Sequence, residues 1–275
     1  MKCLREHTIF FLILPVLAGC VKESEWETPG DGEPELVVEA ILTNERKQHE
    51  VYLNHSVDGL NEEPCPVTGA TVIVGNESTD WILEEDTAEA GTYRSDSTFM
   101  AVTFSNYNLQ VFFGGMLYSA RSTMVEGQYF SELKYQRNAE DDLYHIDYVA
   151  SAFNATSPAM WEVLIDWSGV TGYGDKDPSD CRARLLFYSL PTLDVSEIFA
   201  PAVEQVSFPG GSLIVQRRYS LAPAHADYIR SLLLETTWQG SLFPSANANV
   251  HSNLSGGAIG FFGICAVTEL SLIVD

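Results

Sequence analysis

The stretch Asn108-Leu-Gln-Val-Phe-Phe-Gly-Gly-Met-Leu-Tyr-Ser-Ala-Arg121 decides how this chain is read. Two apolar runs, 108–113 and 116–121, flank Gly114-Gly115. A two-residue link turns two strands tightly only where both linking residues reach positive φ, which glycine does without steric cost. The stretch therefore predicts a β-hairpin. Working outward, period-two apolar patterns fill Glu35–Thr43, Val51–His55, Val67–Val74 and Asp80–Leu83, with Asn, Gly and Asp between them. Short strands with such turn chemistry, over about 90 residues, predict an immunoglobulin-like β-sandwich across 35–125.

A second β-rich domain is expected over 129–275. Tyr144–Phe153 and Met160–Trp167 alternate well. In the latter, Trp161, Val163, Ile165 and Trp167 fall on one face and Glu162, Leu164 and Asp166 on the other. Arg184–Leu190 and Ser212–Tyr219 read as further strands, and Gly257–Val274 as one or two more. One helix is expected near 223–238. Pro223 suits its first turn, Tyr228, Ile229, Leu232, Leu233 and Thr236 share helical spacing, and Gly240 suits its stop. The expected fold class is mostly β: an N-terminal sandwich, then a β-rich domain with one packed helix.

The N-terminus has its own logic. Lys2 and Arg5 precede an apolar run, Ile9–Leu17, too short to span a bilayer, which needs roughly 20 apolar residues. Leu17-Ala-Gly-Cys20 follows where a signal's small-residue cleavage site falls, and it has the form of a bacterial lipobox. The expectation is a lipoprotein signal peptide over 1–19 and a lipid on Cys20 that anchors a globular body to a membrane. Residues 20–34 are rich in Glu, Pro and Gly and read as an acidic flexible linker. The Lys22-Glu-Ser-Glu25 cluster behind Cys20 resembles the surface-export signal of lipoproteins in bacteria that use SusC/SusD-type importers, which implies the outer membrane, facing the cell exterior.

The chain has 15 Lys+Arg against 38 Asp+Glu, a net charge of −23. Loss of the leader moves that only to about −24. Such a surface repels nucleic acid and anionic headgroups, and nucleic acid is not an expected partner.

Chemistry is sparse. Cys3 leaves with the leader, and Cys65, Cys181 and Cys265 remain beside Cys20. In an oxidising compartment Cys181 and Cys265 are a possible disulfide. With no CxxC pair, a thiolate zinc site is not expected. His49-Glu50 has the start of a zinc-protease motif, but Leu53 stands where the second histidine is needed. On one strand His49 and His55 would lie roughly 20 Å apart, which leaves them as surface histidines. Asp175, Asp177 and Asp180 resemble the start of a calcium loop, but Asp180 replaces the required glycine and Leu186 the closing glutamate, so a solvated turn is the better reading. Trp161, Trp167, Tyr107, Tyr118 and Tyr129 could stack a sugar or peptide, but the tryptophan face also carries Val163 and Ile165, which reads as core. Nucleophile-elbow, Walker and dinucleotide signatures are absent. No catalytic residue, cofactor or resident metal is expected.

The order of short motifs resembles a family of lipoproteins, the domain of unknown function 4249. The motifs are the lipobox at Cys20, Leu36-Val-Val-Glu-Ala-Ile-Leu-Thr-Asn44, Val67-Thr-Gly-Ala-Thr-Val72, Gly91-Thr-Tyr93, Leu117-Tyr-Ser-Ala120, the helix at 228–239 and Asn249-Val-His-Ser-Asn-Leu-Ser-Gly-Gly-Ala-Ile-Gly-Phe261. Ala40 and Ala258-Ile259 depart from the family pattern. The resemblance implies a surface lipoprotein often encoded beside a TonB-dependent transporter. The expected role is a non-catalytic accessory or binding component for nutrient uptake, with a peptide or glycan as ligand. The alternative is a structural or adhesive protein of the cell envelope. In the terminal Asn/Gly/Phe run, Gly256, Gly257 and Gly260 read as backbone devices and Asn249 and Asn253 as loop clamps.

Overall fold

The alternation that marks Leu36–Thr43 becomes β1, with Leu36, Val38, Ala40 and Leu42 buried and Glu39 and Ile41 outside. A computed structural model describes residues 34–57, 62–191, 205–236 and 250–275. The expected signal peptide at 1–19, Cys20, all but the last residue of the expected linker, Asn249 and Gly240 lie outside the described residues. Among the described residues the chain is mostly β with a single α-helix, as its patterning predicts.

After β1 come β2 (Glu50–His55), β3 (Thr71–Gly75), β4 (Asp80–Glu85), β5 (Thr92–Arg94), β6 (Asn106–Phe113) and β7 (Met116–Thr123). Their ladders run in the order β1-β2-β5-β4-β3-β6-β7, all antiparallel. Inward side chains from both ends of this order, Val38 and Leu53 at one and Leu109 and Val111 at the other, share one core. That is consistent with two facing layers. Gly114 and Gly115 take φ of 59° and 78° and bring Phe113 opposite Met116, the two-residue hairpin the glycines predict.

The second region holds the hairpin β8 (Lys134–Arg137) and β9 (Tyr144–Tyr148), then β10 (Ala159–Asp166), β11 (Arg182–Ser189), β12 (Leu213–Ser220), α1 (Pro223–Glu235) and β13 (Ile259–Ile273). Its sheet runs β11-β10-β12-β13. One face packs Trp161, Val163, Ile165, Phe208 and Ile214 into a second core. The other is partly covered by α1, whose Ala226, Ile229 and Leu233 meet Tyr219, Leu221 and Cys265. Among the described residues no helix is long and apolar enough to cross a membrane.

Strand β13 belongs to both regions. Residues 259–265 run parallel to β1, from Val37↔Ile259 to Thr43↔Cys265. Residues 266–273 run antiparallel to β12. Phe262 and Ile264 complete the first core, while Cys265 lies under α1. Every residue from Phe261 to Ala266 is buried, since protein covers both faces, and period-two patterning is lost there. Asn253 clamps the entry: its Nδ2 donates to Phe262 O at 2.8 Å and Arg121 O at 3.1 Å, and its Oδ1 accepts from Phe262 N at 3.0 Å.

Gly260 sits opposite Val38 with φ of 101°, and a Cβ there would be driven into the Val38 carbonyl oxygen. Gly260→Ala is expected to cost roughly 3 kcal/mol in urea unfolding. Gly114→Ala, whose Cβ meets nothing, should cost only about 1 kcal/mol. Equal midpoints for the two variants would contradict the parallel β1–β13 ladder.

Candidate functional site

Register builds an ionic row across the uncovered part of the second sheet. Glu162 of β10 lies opposite Arg217 of β12, and Arg217 opposite Glu269 of β13. Arg217 Nη1 donates to Glu162 Oε2 at 2.8 Å, and its Nη2 donates to Glu45 Oε1 at 2.5 Å. Among the described residues its Nε finds no hydrogen-bond partner, and it faces Glu269 Oε2 at 3.6 Å. Tyr219 Oη donates to Glu162 Oε2 at 2.8 Å, and Arg184 Nε to Glu162 Oε1 at 2.6 Å. The side chains of Glu162 and Arg217 are only 7 % and 14 % exposed, so theirs is the buried pair. Arg184, at 63 %, is screened by solvent and adds little.

Glu45 reaches this row from the loop between β1 and β2, so Arg217 ties the first region to the second. The loop is held by His49. Thr43 N donates to His49 Nδ1 at 3.4 Å, which leaves the proton on Nε2 to bond Glu45 O at 3.0 Å. His49 is 2 % exposed and packs edge-on against Phe99. Burial lowers its pKa, against the opposing pull of the Glu45 carbonyl, and the ring stays neutral. His49 is therefore a buried strut, contrary to the surface reading. Sequence cannot show that Ser95 Oγ and Phe99 arrive to enclose it.

Burial alone would raise the Glu162 pKa, but hydrogen bonds from Arg184 and Tyr219 hold the carboxyl below the usual carboxylate range. Burial and the bond to Glu162 push the Tyr219 phenol up. Glu162 is thus fixed as an acceptor, a poor general acid and a good electrostatic clasp. Beside it lies an open groove of about 490 Å³, lined by Leu164, Leu213, Val215 and Ala183, with Arg182, Arg184 and Asp166 at its rim. An apolar surface edged by fixed charges suits an extended peptide segment.

The structure separates the two cysteines proposed as a disulfide. Cys181 ends a short 3-10 turn in the second core, whereas Cys265 is mid-strand under α1, and both are free. Cys265 Sγ lies 3.4 Å from His225 Nδ1. Burial pushes that thiol up to about 12 and the imidazole down to about 4, so the pair is neutral and not the thiolate–imidazolium of a nucleophile. Asp177 caps the 3-10 turn, its Oδ1 accepting from Ser179 N and Oγ at 2.9 and 2.8 Å. Asp175 lies in the turn that leads into this 3-10 element, Asp177 is its N-cap and Asp180 lies within it; among the described residues no three His, Cys, Asp or Glu side chains group as metal ligands.

Trp161 and Trp167 are core residues; Trp161 Nε1 donates to Ser189 Oγ at 3.1 Å. Tyr107 is fully buried, Tyr118 partly so, and Tyr129 projects into solvent. Sequence reasoning missed the Glu45–Arg217–Glu162 row. A trace of it was readable: Glu162 interrupts the apolar run Trp161–Ile165, and Arg217 the run Leu213–Tyr219.

The family model of a domain of unknown function, DUF4249, matches residues 21–192. No curated protein matches the chain.

Glu162→Gln should leave Arg217 half-paired and lower stability by roughly 3 kcal/mol at neutral pH. Because the folded carboxyl is held below its ordinary 4.5, its contribution is complete above that value and is lost as pH falls below it. Urea titrations between pH 3 and 7 should therefore show a flatter acid limb in the variant, and parallel limbs would refute the clasp. Thiol labelling should find Cys65 reactive in the native protein and Cys181 and Cys265 only after unfolding. A Cys181–Cys265 cross-link in the unreduced peptide map would contradict the fold.

Proposed function

For a chain that belongs to the DUF4249 family, we propose a lipid-anchored lipoprotein of the outer membrane, facing outward, that serves as a non-catalytic accessory or binding component of nutrient uptake beside a TonB-dependent transporter. The observation that carries this reading is Leu17-Ala-Gly-Cys20 directly behind the apolar run Ile9–Leu17. The family match begins at residue 21, just after the cysteine, which supports a mature body that starts there. The groups a hydrolase would recruit are otherwise engaged: Glu162 in its clasp, Cys265 and His225 as a neutral buried pair. The groove over Leu164, Leu213 and Val215 is the surface we assign to a peptide ligand, since its floor offers aliphatic rather than aromatic side chains.

Cys20→Ala should move the protein from the outer-membrane fraction to the soluble fraction, followed by immunoblot. Purification of the native protein in mild detergent should recover a TonB-dependent transporter, identified by mass spectrometry. A native protein that keeps its leader, or one that co-purifies with no transporter, would sink the proposal.

A further inference from the structure

The first region has two ends, set by the direction of β1. The described chain enters at the Leu36 end, where Glu35 N donates to Ser56 Oγ at 2.9 Å. Leu36 pairs with His55, whose ring lies 5.9 Å from that of Phe113. The β6–β7 turn therefore reaches the same end. Across it Phe112 pairs with Leu117 and Phe113 with Met116. Phe112, Met116 and Leu117 are 43 %, 53 % and 47 % exposed. Val57, which follows Ser56, and Ile259, opposite Val37, add further exposed apolar surface at this end. Among the described residues a Cβ on Gly114 or Gly115 would meet nothing within 4 Å, so the two turn positions are open.

We propose that the β6–β7 tip is a membrane-docking surface, with Phe112, Met116 and Leu117 entering the headgroup–acyl boundary of the bilayer to which Cys20 is anchored. The inference rests on the lipid-anchor reading and adds a second point of contact to it. Cys20 and Pro34 are 14 positions apart. Fully extended, that stretch spans at most about 50 Å, and it joins the body at the Leu36 end. The Thr43 end lies roughly 25 Å farther along β1. The tether thus favours presenting the apolar tip, not the opposite end, to the lipid surface. Exposed apolar side chains also stand at the Thr43 end, at Met100, Val102 and Phe104, so it is the tether's point of attachment that singles out the tip among the clustered apolar patches that mark interaction sites. A flexible tether leaves the orientation of the body free, and a second apolar contact sets which face looks outward. The charged neighbours, Glu35 and the Glu62-Glu63 pair just before Cys65, are acidic. Cys65 O accepts from His55 N, which keeps them at this end. They disfavour anionic headgroups, so the surface that fits is zwitterionic.

The test uses the full mature chain, acylated on Cys20 and reconstituted into phosphatidylcholine vesicles. Cys65→Ser removes the exposed thiol, and Met116→Cys carries an environment-sensitive fluorophore. Asp175→Cys, in the second region, carries the same label as a control. The Met116→Cys label should shift to the blue and be quenched several-fold when brominated phosphatidylcholine replaces the ordinary lipid, and Phe112→Ser should weaken that quenching. The Asp175→Cys label should do neither. Water-like emission from the Met116→Cys label on vesicles that carry the protein would overturn the docking proposal alone. So would a blue shift that rises with protein concentration and ignores bromine, since the tip would then cover a second copy of the chain. Failure of the anchor reading shows differently: the N-terminal peptide would carry no acyl mass and the protein would not float with vesicles, and both proposals would fall together.

Discussion

A single fifteen-residue strand makes two sheets depend on each other. Residues 259–265 of β13 complete the layer begun by β1, and residues 266–273 continue into the β10–β12 sheet. A strand is stiff along its length, so the geometry of one region is passed to the other through unbroken backbone. Asn44 extends the coupling by one step: its Oδ1 accepts from Val267 N at 2.7 Å and its Nδ2 donates to Val267 O at 3.3 Å, after the β1 ladder has ended. The parallel pairing needs close backbone approach at Gly260, and a side chain there would collide with Val38.

Electrostatics reinforce the same seam. Cations are scarce in this chain, 15 against 38 acids, and two sit almost wholly inside the second region. Arg217 joins Glu45 to Glu162 across the boundary. Arg218, its neighbour on the opposite face, meets no carboxylate among the described residues: it donates to Ser157 and Ser220 and lies over the ring of Trp161. One arginine is balanced by carboxylates and the other is solvated by neutral acceptors and a π face, because the strand sends successive side chains to different environments. A buried pair such as Glu162–Arg217 adds little net stability over an apolar pair, but breaking it leaves a charge stranded, and that asymmetry gives the seam its specificity.

The candidate surfaces follow from what the seam leaves uncovered. Helix α1 shields the row of Tyr188, Met160, Tyr219 and Val267. It stops short of Leu164, Leu213 and Val215, which form the groove. At the far end of the first region, the hairpin turn carries apolar side chains beyond the last core layer. Both surfaces are apolar, and they lie in different regions of the protein.

Local sequence determined the strands whose one face meets solvent, the Gly114-Gly115 turn and the helix beginning at Pro223, because each depends on backbone preference and on periodicity within a few residues. The proposed anchor likewise rests on a linear string, Leu17-Ala-Gly-Cys20. Tertiary structure decided the rest. The partner of β13 lies more than 200 residues away in sequence, and burial of both faces erases the alternation by which a half-buried strand is read. His49 became a strut, and Cys181 and Cys265 came to lie in separate cores, for the same reason: burial and pairing belong to the neighbours that folding brings, and no residue's type states who they will be.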